Sequence, residues 1–126
     1  MTNLAMHPVE RAAHHAEAVR GDVVSIVSGL QRVLGREVVA MITGRDPRQV
    51  SRWIAADAKP PMREMQLIRD TYQIVQVLTD VDPDEVVRAW FLGMNPQLED
   101  ESPVEVLVAG RARDVLAAAR AFANAG

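Results

Sequence analysis

The chain has 126 residues, 48% of them hydrophobic and 25% charged, a composition that suits one compact domain or two small helical lobes. It has no cysteine, which excludes disulfides and thiol catalysis and is typical of a reducing cytosol. The net charge of −3 is uneven: residues 1–60 carry a net charge of +2, and residues 61–126 carry −5. Because no apolar run approaches the roughly 18 residues of a membrane span, we expect a cytoplasmic protein that does not contact the membrane.

Apolar residues recur at helical spacing along the chain, which predicts an all-α fold. Residues 1–20 are predicted to form a polar helical segment, and its three histidines are interpreted as solvated side chains and not as metal ligands. A second helix is predicted to bury one apolar face and to end at Gly35; that face consists of Val23, Val24, Ile26, Val27, Leu30, Val33 and Leu34.

Three more helices are predicted before residue 80, and residues 21–80 are predicted to form the first domain. Two of them are short and cover residues 36–43 and 47–56, and Pro60 and Pro61 prevent their continuation. The third covers residues 62–78 and is predicted to bury Met65, Ile68, Tyr72, Val75 and Leu78.

The remaining residues, 81–126, are predicted to form a second small helical domain with two similar helix starts. Asp82-Pro83-Asp84-Glu85 and Ser102-Pro103-Val104-Glu105 each combine a capping side chain, a proline and a glutamate that completes a capping box. The first of these helices is predicted to bury Val86, Trp90 and Phe91 and to end near Gly93. The second ends at Gly110, and a final alanine-rich helix covers residues 111–123.

Four residues between Gly35 and Pro60 have the spacing of a helix-turn-helix. Ala40 is small where the two helices cross, and Gly44 tolerates the left-handed backbone of a tight turn. Val50 and Trp53 lie three residues apart and are predicted to face the core. The alternative is an ordinary helical hairpin with a polar exposed face.

The second of these helices is predicted to present a DNA-binding face. Asp46 caps it and Pro47 opens it, so its free amides and positive end face outward. The DNA contacts that we predict are Arg48, Gln49 and Arg52 to bases or phosphates, and Ser51 and Lys59 to phosphates. Since the basic excess is small, we expect operator binding to require a homodimer or a hetero-oligomer with a partner.

The chain resembles the Xre/MbcA/ParS antitoxin family. The likeness is carried by the helix-turn-helix pattern and by a C-terminal series of residues: Trp90, Asn95-Pro96, Leu98, Pro103, Val106-Leu107, Gly110 and Val115. The likeness to the family does not extend to about the first twenty residues. Glu101-Ser102 departs from the family, which usually has a glycine-containing turn there.

This resemblance implies a partner, a RES-domain toxin that consumes NAD, and a type II antitoxin that covers the toxin's active-site entrance and represses its own operon. The toxin-binding residues that we predict are Trp90, Asn95, Pro96, Pro103, Gly110, Arg111, Arg113, Arg120 and Phe122. Two alternatives remain: Phe122 and its neighbours merely complete the core, or the chain is a free-standing transcriptional or prophage repressor. We predict no enzymatic activity, no cofactor and no metal, since neither a phosphate-binding loop nor a nucleophile motif is present.

Overall fold

The structure, a computed structural model, describes the backbone of residues 8–125 and the side chains of residues 8–9 and 22–125. Residues 1–7 and 126 and the side chains of residues 10–21 lie outside the described part. The predictions about His7, His14 and His15 therefore stay untested.

The described residues form seven α-helices and one 3₁₀ turn, without strands, which confirms the all-α prediction. The elements are α1 (Pro8–Leu34), α2 (Arg36–Thr43), α3 (Pro47–Ile54), α4 (Met62–Thr79), α5 (Asp84–Leu92), the 3₁₀ turn Pro96–Leu98, α6 (Pro103–Val108) and α7 (Ala112–Ala125). Within this part of the chain, none of the helices combines the length and apolarity needed to cross a bilayer.

Helix α1 is continuous where the sequence predicts two helical segments. Its apolar face is buried as predicted, except that Val24 is only half-buried. Gly29 lets α1 cross α4 closely, since a Cβ built at this position would lie 3.2 Å from Cε1 of Tyr72. An exposed ion pair joins the same two helices, with Asp22 Oδ2 3.3 Å from Arg69 Nη1.

One hydrophobic core includes side chains from both predicted domains. Trp53 of α3, Phe91 of α5 and Leu107 of α6 are all fully buried in it. Helix α1 contacts α2, α3, α4 and α5, while α7 lies along α4. Arg88 of α5 strengthens the junction by donating from Nε to the carbonyl oxygen of Val33 at the end of α1, at 3.0 Å. The division at residue 80 stays a prediction, but the packing crosses it.

The burial predicted for α5 and α4 is wrong at several positions. In α5, Val86 is 39% exposed and Val87 is buried instead, because Val87 and Phe91 lie one turn apart on the face that packs into the core. Trp90, predicted buried, is half-buried. In α4, Met65 and Tyr72 are also only half-buried. The residues of α4 that are buried are Glu64, Ile68, Thr71, Ile74, Val75 and Leu78.

The two similar helix starts behave differently. The Ser102 start forms the predicted capping box: Ser102 Oγ accepts from the Glu105 amide at 3.1 Å, and Glu105 Oε1 accepts from the Ser102 amide at 3.4 Å. The Asp82 prediction is wrong, because α5 begins at Asp84 and no side chain caps it. The amide of Asp82 donates instead to the carbonyl of Leu78 at 3.0 Å, which makes Asp82 part of the end of α4.

Candidate functional site

The turn between α2 and α3 is set by a left-handed glycine. Gly44 has φ 69°, and the next amide, of Arg45, donates back to the carbonyl of Ala40 at 2.9 Å. No atom lies within 4 Å of a Cβ built at Gly44, so backbone conformation and not space favours glycine here. Ala40, Val50 and Trp53 are buried where the helix-turn-helix spacing places core residues.

The start of α3 is capped as predicted. Asp46 Oδ1 accepts from the amide of Arg48 at 2.8 Å, and Pro47 occupies the first helical position. Helix α3 ends at Ile54 and not at residue 56, because Ala56 adopts φ 61° and the amide of Asp57 turns back to the carbonyl of Arg52 at 2.9 Å.

One face of α3 presents two arginines to solvent. The side chain of Arg48 is 93% exposed, and Arg52, one turn further on, is also exposed. Gln49 and Ser51 are half-buried beside them. Lys59 lies beyond the end of α3, in the loop to α4, where it lines a 260 Å³ cavity with Trp53 and Val23. We name the face that carries Arg48, Ser51 and Arg52 the α3 face.

Two polar pairs around the turn between α2 and α3 were not predicted from the sequence. Arg36 Nη1, at the start of α2, donates to Ser51 Oγ at 2.9 Å. Beneath the turn, Arg45 Nη2 lies 3.6 Å from Oε2 of the buried Glu64. The partners in each pair are more than a dozen residues apart, so no local spacing pattern indicates them.

The second candidate site is an apolar groove of 390 Å³ between α5 and α7. Trp90 lines it, and the ring centroid of Trp90 lies 6.2 Å from that of Phe122 and 5.3 Å from that of Phe91. Phe122 is 41% exposed and Met94 is 79% exposed at the rim. We name this site the aromatic groove; its other lining residues are Ala89, Gly93, Asn95, Pro96, Gln97, Ala118, Ala121 and Ala125.

The loop beside the aromatic groove is organised by Asn95. Its side-chain Oδ1 accepts from the backbone amide of Gln97 at 2.9 Å. Its backbone amide donates to the carbonyl of Glu101 at 3.1 Å, and its backbone carbonyl accepts from the amide of Asp100 at 2.9 Å. Glu99 and Asp100 have φ values of 56° and 67°, a conformation that glycine adopts without strain. This chain thus makes the turn with two non-glycine residues, next to the place where the sequence departs from the family.

The comparisons with known proteins agree on one kind of relative. The mycobacterial cidal antitoxins MbcA of Mycobacterium tuberculosis and Mycobacterium bovis are each 30% identical to this chain over 104 residues, covering 81% of it and 92% of the relative. The chain belongs to the MbcA antitoxin family. A crystal structure of the M. tuberculosis MbcT–MbcA toxin–antitoxin complex contains a chain that matches with a TM-score of 0.71 and 30% identity, covering 81% of this chain and 94% of that one. No family model matches the chain.

The residues that carry the likeness to the MbcA family divide between core and surface. The buried members are Asn95, Leu98, Pro103, Val106, Leu107 and Val115. Trp90 and Pro96 line the aromatic groove, while Gly110, with φ 84°, lies at the exposed end of α6. The C-terminal pattern therefore describes a folding unit as much as a contact surface.

The structure divides the predicted toxin-binding residues into two groups. Trp90, Asn95, Pro96 and Phe122 meet in the aromatic groove. Pro103 begins α6, Gly110 and Arg111 lie in the turn after it, and Arg113 lies in the first turn of α7. About ten residues of helix, or roughly 15 Å, separate the start of α7 from Phe122. Arg120 is exposed two residues before Phe122.

Arg111 is held by two carboxylates at the start of α7. Its Nε donates to Asp114 Oδ2 at 3.0 Å, and its Nη1 lies 3.4 Å from Glu101 Oε1. Hydrogen bonding to Asp114, and then to Glu101, raises the pKa of Arg111. The charge of Arg111 is thus paired in the free chain, and its contact with the toxin stays a prediction.

Proposed function

We propose that this chain is the antitoxin of a type II toxin–antitoxin pair, that it blocks a RES-domain toxin that degrades NAD, and that it represses its own operon. The observation that carries the toxin-binding part is the aromatic groove, an apolar site open to solvent in a member of the MbcA family. The match to MbcA in its complex with MbcT supports a cognate toxin as the occupant.

The composition of the aromatic groove is that of a protein–protein contact. Such contacts are enriched in aromatic residues, methionine and arginine, and here Trp90, Phe122 and Met94 are accompanied by the exposed Arg120. The alternative in which Phe122 only completes the core fits less well, because 41% of its surface stays exposed after it packs on Trp90.

Helix α7 has the shape required to cover a cleft. Ala118, Ala121 and Ala125 line the aromatic groove with small side chains, so a partner's surface can approach closely, and Phe122 supplies one large apolar anchor. In this proposal the chain excludes NAD by covering the entrance, and the chemistry on NAD belongs entirely to the toxin. The chain itself is then not an enzyme.

Co-expression with the product of the neighbouring gene tests the toxin proposal. We expect the two proteins to elute together in size-exclusion chromatography and the antitoxin to restore growth. A Phe122→Asp variant, which places a charge at the groove, should lose both effects. The matched control is Val81→Asp, at a residue that is 53% exposed in the turn after α4. Absence of a complex with the wild-type chain would contradict the proposal.

The DNA-binding part rests on the α3 face. Arg48 and Arg52 are exposed one turn apart on a capped helix, and among the described residues Arg52 has no carboxylate within 4.0 Å. Arginine bonds guanine through two atoms at once, and exposed guanidinium groups bind phosphates. We propose Arg48, Gln49 and Arg52 as the residues that read DNA, with Lys59 as a peripheral phosphate contact.

A gel shift on the region upstream of the gene tests DNA binding. The Arg48→Ala and Arg52→Ala variants should lose the shifted band and still co-purify with the toxin. Loss of both activities would mean that these arginines are structural. If the wild-type chain shifts the DNA but binds no toxin, the free-standing repressor is the correct function.

A further inference from the structure

The exposed side chain of Arg36 is held against the α3 face by a hydroxyl group. Arg36 is the first residue of α2, and its Nη1 donates to Ser51 Oγ at 2.9 Å. Ser51 lies three residues after Arg48 and one before Arg52, so the guanidinium of Arg36 lies beside the face that carries both. Two arginines of α3 and one of α2 thus lie close together around Ser51.

The charge of Arg36 is not neutralised in the described part of the chain. Arg69 and Arg111 each have a carboxylate oxygen within 3.4 Å. Among the side chains that the structure describes, no carboxylate, including that of the adjacent Glu37, lies within 4.0 Å of Arg36. A hydroxyl oxygen accepts one of the five N–H groups of the guanidinium and leaves its full positive charge available. The bond to Ser51 therefore orients a cation without cancelling it.

We infer that Arg36 is a phosphate-binding residue of the DNA interface and that Ser51 positions it. This inference rests on the proposed DNA-binding function and adds a residue to it. It also changes the role of Ser51, which the sequence analysis assigned to direct phosphate contact. Ser51 is half-buried and its oxygen is already engaged by Arg36, with Pro47 carbonyl 3.5 Å away.

A phosphate is a better ligand for Arg36 than a base edge. Arg36 projects from α2, whereas the side chains predicted to read bases belong to α3. Contacts to phosphates set the position of the protein along the duplex and do not read its sequence. Because the bond to Ser51 already orders the long side chain of Arg36, less conformational entropy is lost on binding.

The inference is tested by measuring DNA affinity against salt concentration. The probes are a labelled duplex from immediately upstream of the gene and a shuffled duplex of the same composition. For Arg36→Ala we expect weaker binding to both duplexes by the same factor, and a slope of log K against log salt that is smaller by about 0.9. Arg69→Ala, which removes one exposed charge from α4, should leave the slope unchanged.

The Ser51 variants separate positioning from charge. Ser51→Ala should weaken binding to both duplexes with an unchanged slope, because the charge of Arg36 is retained. Ser51→Thr, which keeps the hydroxyl group, should restore affinity. Thermal melting followed by circular dichroism confirms that each variant folds.

Each contrary result has its own meaning. An unchanged slope for Arg36→Ala, while Arg48→Ala weakens binding, overturns this inference and leaves the proposed function intact. A loss confined to the upstream duplex would make Arg36 a base-reading residue and overturn the phosphate assignment. If Ser51→Ala leaves DNA affinity unchanged, the positioning role of Ser51 is overturned. Failure of the wild-type chain to bind either duplex overturns the proposed DNA binding together with the inference.

Discussion

The α3 face and the aromatic groove are built in opposite ways. The α3 face lies on one eight-residue helix, and a local cap and a tight turn set its direction. The aromatic groove is assembled from α5, the loop after it and α7, so that Trp90 and Phe122 meet across more than thirty residues of sequence. The first surface is polar and depends on residues that are close in sequence. The second is apolar and depends on tertiary packing between residues that are far apart in sequence.

This difference is the basis for proposing different partners for the two surfaces. Charged side chains bind a ligand when they are exposed and point toward it, and a short capped helix can present them in this way without burying much surface. An apolar contact needs area and a concave shape, which a single short helix does not offer. The two surfaces nevertheless depend on one core, which leads to the largest effect that we expect.

Replacing a core residue should damage both surfaces together. Phe91 is fully buried and packs edge-on against Trp90, and we expect Phe91→Ala to lower the free energy of unfolding by about 3–5 kcal/mol. Urea unfolding followed by circular dichroism measures this effect. The neighbouring Leu92→Ala, at an exposed position, should change it by less than about 0.5 kcal/mol. Two separate unfolding transitions in the wild-type chain would show that the surfaces do not share a core.

Replacing an exposed groove residue should affect one surface only. We expect Phe122→Ala to weaken toxin binding by about 2 kcal/mol, or roughly thirtyfold, because an anchor in an apolar contact is lost. DNA affinity and stability should change little, since Phe122 is 41% exposed in the free chain. Calorimetric titration with the purified toxin measures the difference, and Val81→Ala serves as the matched control. An equal loss of DNA affinity would refute the separation of the two surfaces.

The two helix starts provide a smaller test of local encoding. Ser102→Ala removes a complete capping box and should cost about 1 kcal/mol of unfolding free energy. Asp82→Ala should change stability by less than about 0.5 kcal/mol, because Asp82 caps no helix. Thermal or urea unfolding compares the pair. Equal losses would mean that Asp82 does stabilise the start of α5.

The smallest effect concerns the loop beside the aromatic groove. Asp100 has φ 67°, so Asp100→Gly should raise the free energy of unfolding by about 0.5–1 kcal/mol through relief of backbone strain. Glu85→Gly also removes one exposed carboxylate, but it lies within α5 and should lower stability by about 0.5–1 kcal/mol. Changes of the same sign in the two variants would contradict strain at Asp100.

Local signals made much of the fold predictable from the sequence. The cap at Asp46, the turn at Gly44 and the box at Ser102 each depend on residues within five positions of one another. Predictions failed where a neighbouring element decides the outcome. The amide of Asp82 bonds to the end of α4, and the packing of α5 into the shared core buries Val87 in preference to Val86. The bond between Arg36 and Ser51 spans 15 residues and has no local signature.

The candidate sites were predictable to different degrees for the same reason. The residue types of the α3 face follow from helix periodicity, and the structure places Arg48 and Arg52 on its exposed side. In the aromatic groove, the sequence identified Trp90 and Phe122 but not Met94, because nothing in the run after Gly93 indicates which side chains stay exposed. The sequence did not predict that Arg111 pairs with two carboxylates, and its contact with the toxin stays a prediction.

The hydrogen bond from Arg88 to Val33 has a practical consequence for shortened forms of the chain. The last carbonyls of a helix lack intrahelical donors, and a guanidinium at that end also offsets the negative pole of the helix dipole. A fragment that stops at residue 80 keeps α1 but removes the side chain that satisfies its terminus, and it uncovers the apolar surface under α5 and α7. A fragment made to test the proposed DNA binding therefore needs α5 to keep Arg88 on the end of α1, and α6 and α7 to keep the core covered.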